Sequence, residues 1–266
     1  MRAIRRFLVC VLFLSPCLAI GQTAEELVAK NIQAHGGLEK IKAIRSIRTT
    51  SNLDASGFKA ALGQEQKRPD KVRDTFTVQG MTQIQAFDGA QAWQISPFGG
   101  RKDPELMGEE GTRGMVEEAD FDGPLVDAAA KGNKVEYLGM DQVDGDDAYK
   151  LKCTLKNGDI FYYFLDPDTY LEIKIEKQIF IQGAVREFAT VFGAYKPVNG
   201  VMFAFATASG PRNNPESGGR ITVQKIEVNT DIDDKQFKMP STPAAAPAAQ
   251  PKPESKAPAK PKTASK

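Results

Sequence analysis

The first apolar residues after position 22 recur at helical spacing. In "TAEELVAKNIQAHGG", Leu27, Val28 and Ile32 lie on one stripe of a helix. Thr23 is followed three residues later by Glu26, which is the sequence of a capping box. We therefore predict a helix that begins here and ends at the next pair of glycines. The following segment, "LEKIKAI", is long enough for one short helix.

From residue 47 onward apolar and polar residues alternate, which predicts β-strands. The first four predicted strands lie near residues 46–56, 58–68, 71–79 and 82–87. Asp88-Gly89 separates two alternating runs and predicts a two-residue hairpin loop. The same signal recurs at Asn157-Gly158 and, more loosely, at Asp144-Gly145 and Asn199-Gly200. These four turns indicate an antiparallel meander.

Strands in the second half show one apolar face and one wet face. The apolar positions are Tyr149, Leu151, Cys153 and Leu155, and then Leu171, Ile173 and Ile175. Glu172, Lys174 and Glu176 alternate with the second group and are predicted to face water. In "RITVQKIEV" the apolar phase changes, which predicts a β-bulge near Gln224-Lys225. Cys153 is interpreted as a small buried apolar residue.

The segment 103–131 breaks this pattern with scattered apolar residues among acidic residues and glycines. We interpret it as short helices that cross one face of the sheet. A sheet of about ten twisted strands curls, and its concave side then needs a cover or a ligand. The predicted fold class is α+β, mostly β, with a curved antiparallel sheet of about 10–11 strands covered by short helices.

The two ends of the chain differ in composition from the rest. Residues 1–21 place three arginines before a short apolar run and small residues, which predicts a signal peptide that is removed on export. Cys17 follows a proline and fits lipidation poorly. Residues 241–266 are rich in alanine, proline and lysine, which predicts a disordered tail. Residues 22–240 remain as the folded domain.

Charge and residue counts exclude several kinds of function. Without its two ends the chain carries 27 basic and 33 acidic residues, so nucleic acid is not expected as a partner. One histidine and one remaining cysteine exclude most zinc, Ser-His and Cys-His sites. For His35 a helix-capping role is favoured over a catalytic one. We expect no catalytic residue, no cofactor and no metal, and so no enzyme.

Two acidic motifs have the composition of possible cation sites. "DQVDGDD" lacks the spacing and the final glutamate of an EF-hand loop and lies at a predicted hairpin. Asp166-Pro167-Asp168 is interpreted as a turn, because Asp-Pro is common turn chemistry. Neither motif predicts a metal site.

The order of several motifs resembles the LolA family of lipoprotein carriers. These motifs are "KRPDKVR", then "QAFDGAQAWQISP", and finally "DIDDKQFKMP". The resemblance implies a half-barrel whose apolar concave face is covered by helices and takes in acyl chains. It also implies that Arg68 holds the helical lid by hydrogen bonds to backbone carbonyls. The alternative for Arg68 is an exposed charge at a strand end.

The same resemblance assigns three further positions to contact with lipid or lid. These are Val72, where the family often has an aromatic residue, together with Phe87 and Trp93. Trp93 is the sole tryptophan of the chain, and a core position is favoured for it over ligand contact.

The function predicted in this way is a periplasmic, monomeric carrier or chaperone for a lipid or a lipidated protein, with transient contacts to membrane proteins of the envelope. One alternative is an envelope-stress sensor or protein-interaction module with the same fold. A second alternative is a hydrolase, which would need two carboxyl groups that converge in a pocket with raised pKa.

Overall fold

The structure is a computed structural model that describes residues 22–100 and 102–241. The predicted signal peptide lies outside the described residues, as does the predicted tail beyond Ser241.

Three α-helices and thirteen β-strands form the described chain. The helices are α1 (Ala24–Ala34), α2 (Leu38–Ala43) and α3 (Glu109–Ala119). The strands are β1 (Ser46–Ala55), β2 (Phe58–Lys67), β3 (Lys71–Val78), β4 (Met81–Phe87), β5 (Ala92–Ile95), β6 (Glu105–Leu106), β7 (Lys134–Val143), β8 (Asp146–Thr154), β9 (Ile160–Leu165), β10 (Glu172–Ile181), β11 (Ala184–Val198), β12 (Val201–Pro211) and β13 (Arg220–Val228). Short 3-10 helices lie at Pro97–Gly99, Pro215–Gly218 and Asp234–Gln236.

All thirteen strands belong to one antiparallel sheet that does not close, with the order β6-β5-β4-β3-β2-β1-β13-β12-β11-β10-β9-β8-β7. The fold class is therefore confirmed as a mostly β half-barrel with helices on one face. The sheet has more strands than predicted. The meander is interrupted once, between β6 and β7 at opposite edges of the sheet, and the pairing of β1 with β13 joins its two halves.

Both longer helices pack apolar side chains on the concave face. α1 begins with the predicted capping box, in which Thr23 and Glu26 bond each other's backbone N–H. Its Leu27 is fully buried against Leu151 and Phe161 of the sheet. Burial of a leucine of this kind contributes about 2 kcal/mol. The segment 103–131 forms one helix, α3, followed by turns rather than a series of helices.

The two hairpins with the weaker sequence signals, at Asp144-Gly145 and Asn199-Gly200, have two-residue loops. The hairpin with the stronger signal, at Asp88-Gly89, has a longer loop. Asp144-Gly145 and Asn199-Gly200 connect directly paired residues, and both residues of each loop have positive φ. Asp88-Gly89 belongs to a four-residue loop, since Phe87 pairs with Ala92. The Asp88 carboxylate accepts hydrogen bonds from the backbone N–H groups of the next two loop residues, 90 and 91, and this fixes the wider turn.

The prediction that Glu172 and Glu176 of β10 face water is wrong. The pairing of β10 with β9 shifts between Glu172 and Lys174, and this irregularity turns the Glu172 side chain into the protein. Glu176 is also buried and forms ion pairs with Lys174 and Arg212. The predicted bulge in β13 is confirmed, because Thr50 and Ser51 pair with Lys225 and Val223 and leave Gln224 unpaired.

The apolar run "IFYYFL" forms β9 and has two different covers. Phe161, Tyr163 and Leu165 pack beneath α1. On the opposite face, Phe164 lies beneath the amines of Lys150 and Lys174, 5.1 and 5.3 Å from its ring centre. Long lysine side chains therefore cover the convex aromatic surface, and no second helical layer is needed there.

Candidate functional site

A cavity of about 490 Å³ lies between the concave face and the helices. Its walls come from the three helices, the turns after α3, and seven strands of the sheet. Most of the wall is apolar, with side chains that include Ile47, Phe121, Val126, Ile175, Phe203 and Ile226. The volume falls within the range of about 300–1,000 Å³ that is usual for small-molecule sites.

The cavity reaches a seam in the sheet between β12 and β13. Only Ala206, Thr207 and Ala208 of β12 pair with β13, although both strands are much longer. Residues 201–204 of β12 therefore lie apart from β13 and line the cavity together with Val223 and Ile226. At the seam, the cavity wall is therefore formed by side chains and not by a continuous ladder of backbone hydrogen bonds.

The turn after α1 closes one end of this seam. The backbone N–H of Met202 donates to the His35 carbonyl at 2.9 Å, and Nδ1 of His35 lies 3.0 Å from the Met202 carbonyl oxygen. Gly36 has a φ of +115°, and a Cβ atom at this position would lie 2.2 Å from the Gly200 carbonyl oxygen. Only glycine permits this approach of the helix end to β12.

A buried polar network joins the same helix end to β10. Nε2 of His35 lies 2.6 Å from Oε2 of Glu172, whose other oxygen accepts from Asn31 at 3.0 Å. The Tyr195 hydroxyl donates to the Glu172 backbone carbonyl at 2.9 Å. The side chain of His35 therefore binds Glu172 of β10 and does not cap its own helix. Only the backbone of His35 occupies the predicted capping position at the end of α1.

This network shifts the pKa of both members of the ion pair. Burial alone would lower the pKa of His35, but the Glu172 carboxylate and the Met202 carbonyl outweigh it, and the pKa is raised. Burial alone would raise the pKa of Glu172, but the hydrogen bonds and charge of its partners, His35 foremost, lower it. Both shifts favour the charged pair at the cavity wall.

Arg68 ties α2 and the turn after α3 to the end of β2. Its guanidinium donates to the carbonyl oxygens of Ile44 at 2.7 Å and Ile41 at 3.2 Å. It also forms a forked pair with Asp122, with N···O distances of 2.8 and 2.5 Å, and stacks over the Phe121 ring at 4.5 Å. One side chain thus contacts two of the segments that cover the cavity.

Asp122 is the acidic partner at this junction. Its side chain is only 3 % exposed and also binds Lys42 at 2.7 Å. Burial by itself raises the pKa of Asp122, but the hydrogen bonds from Arg68 and Lys42 lower it below its usual value. The carboxylate is therefore held in its charged form between two cations.

The other three predicted positions do not line this cavity. Val72 and Phe87 are buried beneath α3 in a cluster with Ala92, Met115 and Ala119. Trp93 follows Ala92 in β5 and so points to the opposite face of the sheet. There its indole N–H donates to the Phe237 carbonyl at 2.7 Å, and both residues are buried.

Two carboxyl groups that the sequence did not reveal converge next to the main cavity. Asp74 on β3 and Glu118 on α3 are hydrogen-bonded to each other at the wall of a second cavity of about 510 Å³. Burial and then the charge of Asp74 raise the pKa of Glu118 to about 8, and burial raises the pKa of Asp74 as well. No local motif marks this pair, because one member lies in a strand and the other in a distant helix.

The described residues contain neither a metal-binding group of side chains nor a membrane-spanning helix. Within residues 22–100 and 102–241, no three His, Cys, Asp or Glu side chains are grouped so that they could hold a metal ion. In the same part of the chain, every helix is too short or too polar to cross a membrane.

Comparison with solved structures defines the fold. A LolA superfamily protein from Nitrosomonas europaea superposes with a TM-score of 0.55 at 13% sequence identity, over 82% of this chain and 98% of that chain. A DUF1329 family protein from Desulfovibrio piger gives a TM-score of 0.54 at 11% identity, over 81% and 97% of the two chains. No protein-family model and no curated protein sequence matches the chain. The fold is therefore LolA-like.

Proposed function

We propose that this chain is a periplasmic carrier or chaperone that takes the acyl chains of a lipid or a lipidated protein into the cavity beneath α1 and α2. The observation that supports this proposal best is the cavity itself, which has about 490 Å³ of space between mostly apolar walls. Contact between these apolar walls and water is unfavourable, and an apolar ligand that covers the walls removes this cost in free energy.

The energy available from such a ligand is large enough for useful binding. Each methylene group removed from water contributes about 0.8 kcal/mol before the costs of association. A chain that buries about fifteen methylenes gains about 12 kcal/mol and would still bind at micromolar concentration if these costs were about 4 kcal/mol. The cavity volume therefore fits a carrier that binds and releases its cargo.

Arg68 is the proposed lid-holding residue. Its contacts with Ile41, Ile44 and Asp122 join α2 to the turn after α3, so these segments cannot part without breaking several hydrogen bonds. The seam between β12 and β13 is the proposed second movable wall, because few backbone hydrogen bonds cross it. We propose that cargo enters where these two walls meet.

A hydrolase is the second candidate, because the Asp74–Glu118 pair is the feature that this alternative required. The pair is hydrogen-bonded directly, whereas glycoside hydrolases separate their two carboxyl groups by about 5 Å or more to admit the sugar and water. The contact also joins α3 to the sheet, which is a structural role. The sensor alternative would use the main cavity to detect a ligand and would be recognised by a bound envelope protein.

Mass spectrometry of the organic extract from the purified full-length protein tests the proposal. We expect lipids with acyl chains in near-stoichiometric amounts, and their loss when the protein is delipidated by partial unfolding and refolding. An extract without lipid, together with a refolded protein that binds no fatty acid, would reject the carrier function.

A further inference from the structure

A row of polar side chains crosses the concave face of β1 to β5. Each member is the direct cross-strand partner of the next, so all five point to the same face. The row consists of Thr49, Gln64, Asp74, Gln85 and Gln94. The row is a polar band on this half of the concave face, which also carries the apolar cluster beneath α3.

The polar row forms part of the second cavity, which holds about 510 Å³. The next row on the same face adds Ser51 of β1, Phe76 of β3 and Gln83 of β4. Glu118 of α3 lies above the row, where its carbonyl accepts from Gln66 at 2.7 Å. This cavity has a volume suited to a small ligand, and its lining combines amides and hydroxyls with the apolar side chains of Leu62, Phe76 and Ile221.

Much of the hydrogen-bonding capacity of this cavity is unused. Within the described part of the chain, the side chains of Thr49, Ser51 and Gln83 make no hydrogen bond to another protein group. The amide of Gln85 makes only a long contact of 3.5 Å with Gln94. Hydroxyls and amides both donate and accept, so these groups can bind a ligand whose hydroxyls do the same.

The lining offers no cation to an anionic ligand. Its only ionisable residues are the two acids Asp74 and Glu118, and no lysine or arginine lies among the residues that line it. A phosphate, sulfate or carboxylate would find no cationic partner here. A neutral ligand with many hydroxyl groups needs no cation and can bind to this lining.

Aromatic rings extend from the cavity to the surface. Phe76 lines the cavity and meets Phe98 and Phe58 edge to face, with ring centres 5.9 and 6.3 Å apart. Phe98 and Phe58 are each 42 % exposed. Exposed rings next to free amides fit a sugar, because a sugar ring has an apolar C–H face as well as polar edges.

We infer that the cavity beneath α3 is a binding site for a neutral saccharide, with Gln83 and Gln85 as the residues that contact its hydroxyls and Phe76 as the ring on which it packs. The site adjoins the acyl cavity, with which it shares Thr49, Gln64 and Glu118, but Gln83, Gln85 and Phe76 line only the saccharide site. It binds the sugar without cleaving it. Glycoside hydrolases hold their two carboxyl groups about 5 Å or more apart, whereas Asp74 and Glu118 are hydrogen-bonded to each other and leave no space for a glycosidic bond between them.

Saturation-transfer NMR and calorimetry on the full-length protein test this inference with four probes, maltotriose, cellotriose, mannotriose and chitotriose. We expect at least one to bind with saturation below about 10 mM, and glucose 6-phosphate not to bind. A Gln83→Leu/Gln85→Leu variant should weaken the binding at least about tenfold, since it removes two hydrogen-bonding amides. Gln178→Leu, which alters a glutamine on the opposite face, should change it by less than about twofold.

The inference is overturned if none of the four sugars binds, if glucose 6-phosphate binds as well as they do, or if the double variant binds like the parent. Fatty-acid binding by the double variant separates the two proposals. We expect it to be unchanged, because neither glutamine lines the apolar cavity. Sugar binding without fatty-acid binding would reject only the carrier function, and the reverse result would reject only the saccharide site.

Discussion

The side chains of His35 and Glu172 meet at 2.6 Å and connect the end of α1 to the start of β10. His35→Ala would leave a buried carboxylate without its cation, and loss of one partner of such a pair costs about 3 kcal/mol or more. We expect a clear loss of unfolding free energy in chemical denaturation. His35→Gln keeps a hydrogen-bond donor and should lose less. A variant His35→Ala as stable as the parent would show that the pair contributes nothing.

The same pair predicts a stability maximum in mildly acidic solution. The folded pKa of His35 is raised above its ordinary 6.5, so its contribution is complete below that value and is lost as the pH rises through the folded pKa. The folded pKa of Glu172 lies below 4.5, so its contribution is present above 4.5 and is lost on acidification through the folded pKa. The difference between parent and His35→Gln should therefore be largest between about pH 5 and 6.5.

Arg68→Leu tests the proposed lid contact. The substitution removes the bonds to Ile41 and Ile44 and one of the two cations that bind Asp122, so opening should become easier. We expect a fluorescent fatty acid to dissociate at least about fivefold faster in stopped-flow measurements, equivalent to about 1 kcal/mol. Arg48→Leu is the matched control, because Arg48 pairs with Glu65 away from the cavity. Equal release rates in the two variants would show that Arg68 does not hold a lid.

Glu118→Gln should stabilise the protein in alkaline solution. The pKa of Glu118 is raised to about 8, so the folded state binds its proton more tightly than the unfolded state does. Stability therefore falls as the pH rises from about 4.5 to 8, and a neutral glutamine removes this loss. We expect the melting temperature at pH 8.5 to rise by about 3 °C, with little change at pH 4.5. A lower melting temperature at both pH values would contradict the raised pKa of Glu118.

Trp93 should report on the C-terminal segment and not on cargo. It lies on the convex side, bonded to Phe237, while the proposed acyl cavity lies on the concave side. We expect fatty acid to leave tryptophan fluorescence unchanged. Trp93→Phe should lower the unfolding free energy by about 2 kcal/mol, because the Phe237 carbonyl loses its buried donor. Strong quenching by a fatty acid would place the ligand elsewhere.

Local sequence signals predicted much of the fold. The capping box at Thr23 and Glu26 and the alternation in 46–87 depend on residues a few positions apart, and α1 and the first four strands match within two residues. The bulge at Gln224 was visible as a change of apolar phase. By contrast, the pairing of β1 with β13, which joins the two halves of the sheet, connects distant segments and left no local mark.

The site was less predictable for the same reason. His35 and Glu172 are 137 positions apart in the chain, and the irregularity that turns Glu172 inward is not apparent from its alternating neighbours. Asp74 and Glu118 meet only because α3 crosses the sheet. The importance of Arg68 came from a family resemblance, while its partner Asp122 lies in a turn whose position depends on the packing of α3.

Fatty-acid binding to a variant with a filled cavity tests the central claim most directly. Val223 lines the apolar cavity beside the seam, so Val223→Trp would occupy space that cargo needs. Val185 is 60 % exposed on β11, and Val185→Trp makes the same change away from the cavity. We expect the parent and Val185→Trp to bind a fluorescent fatty acid with equal affinity, and Val223→Trp to bind it at least about tenfold more weakly. Equal binding by all three proteins would contradict an acyl site in this cavity.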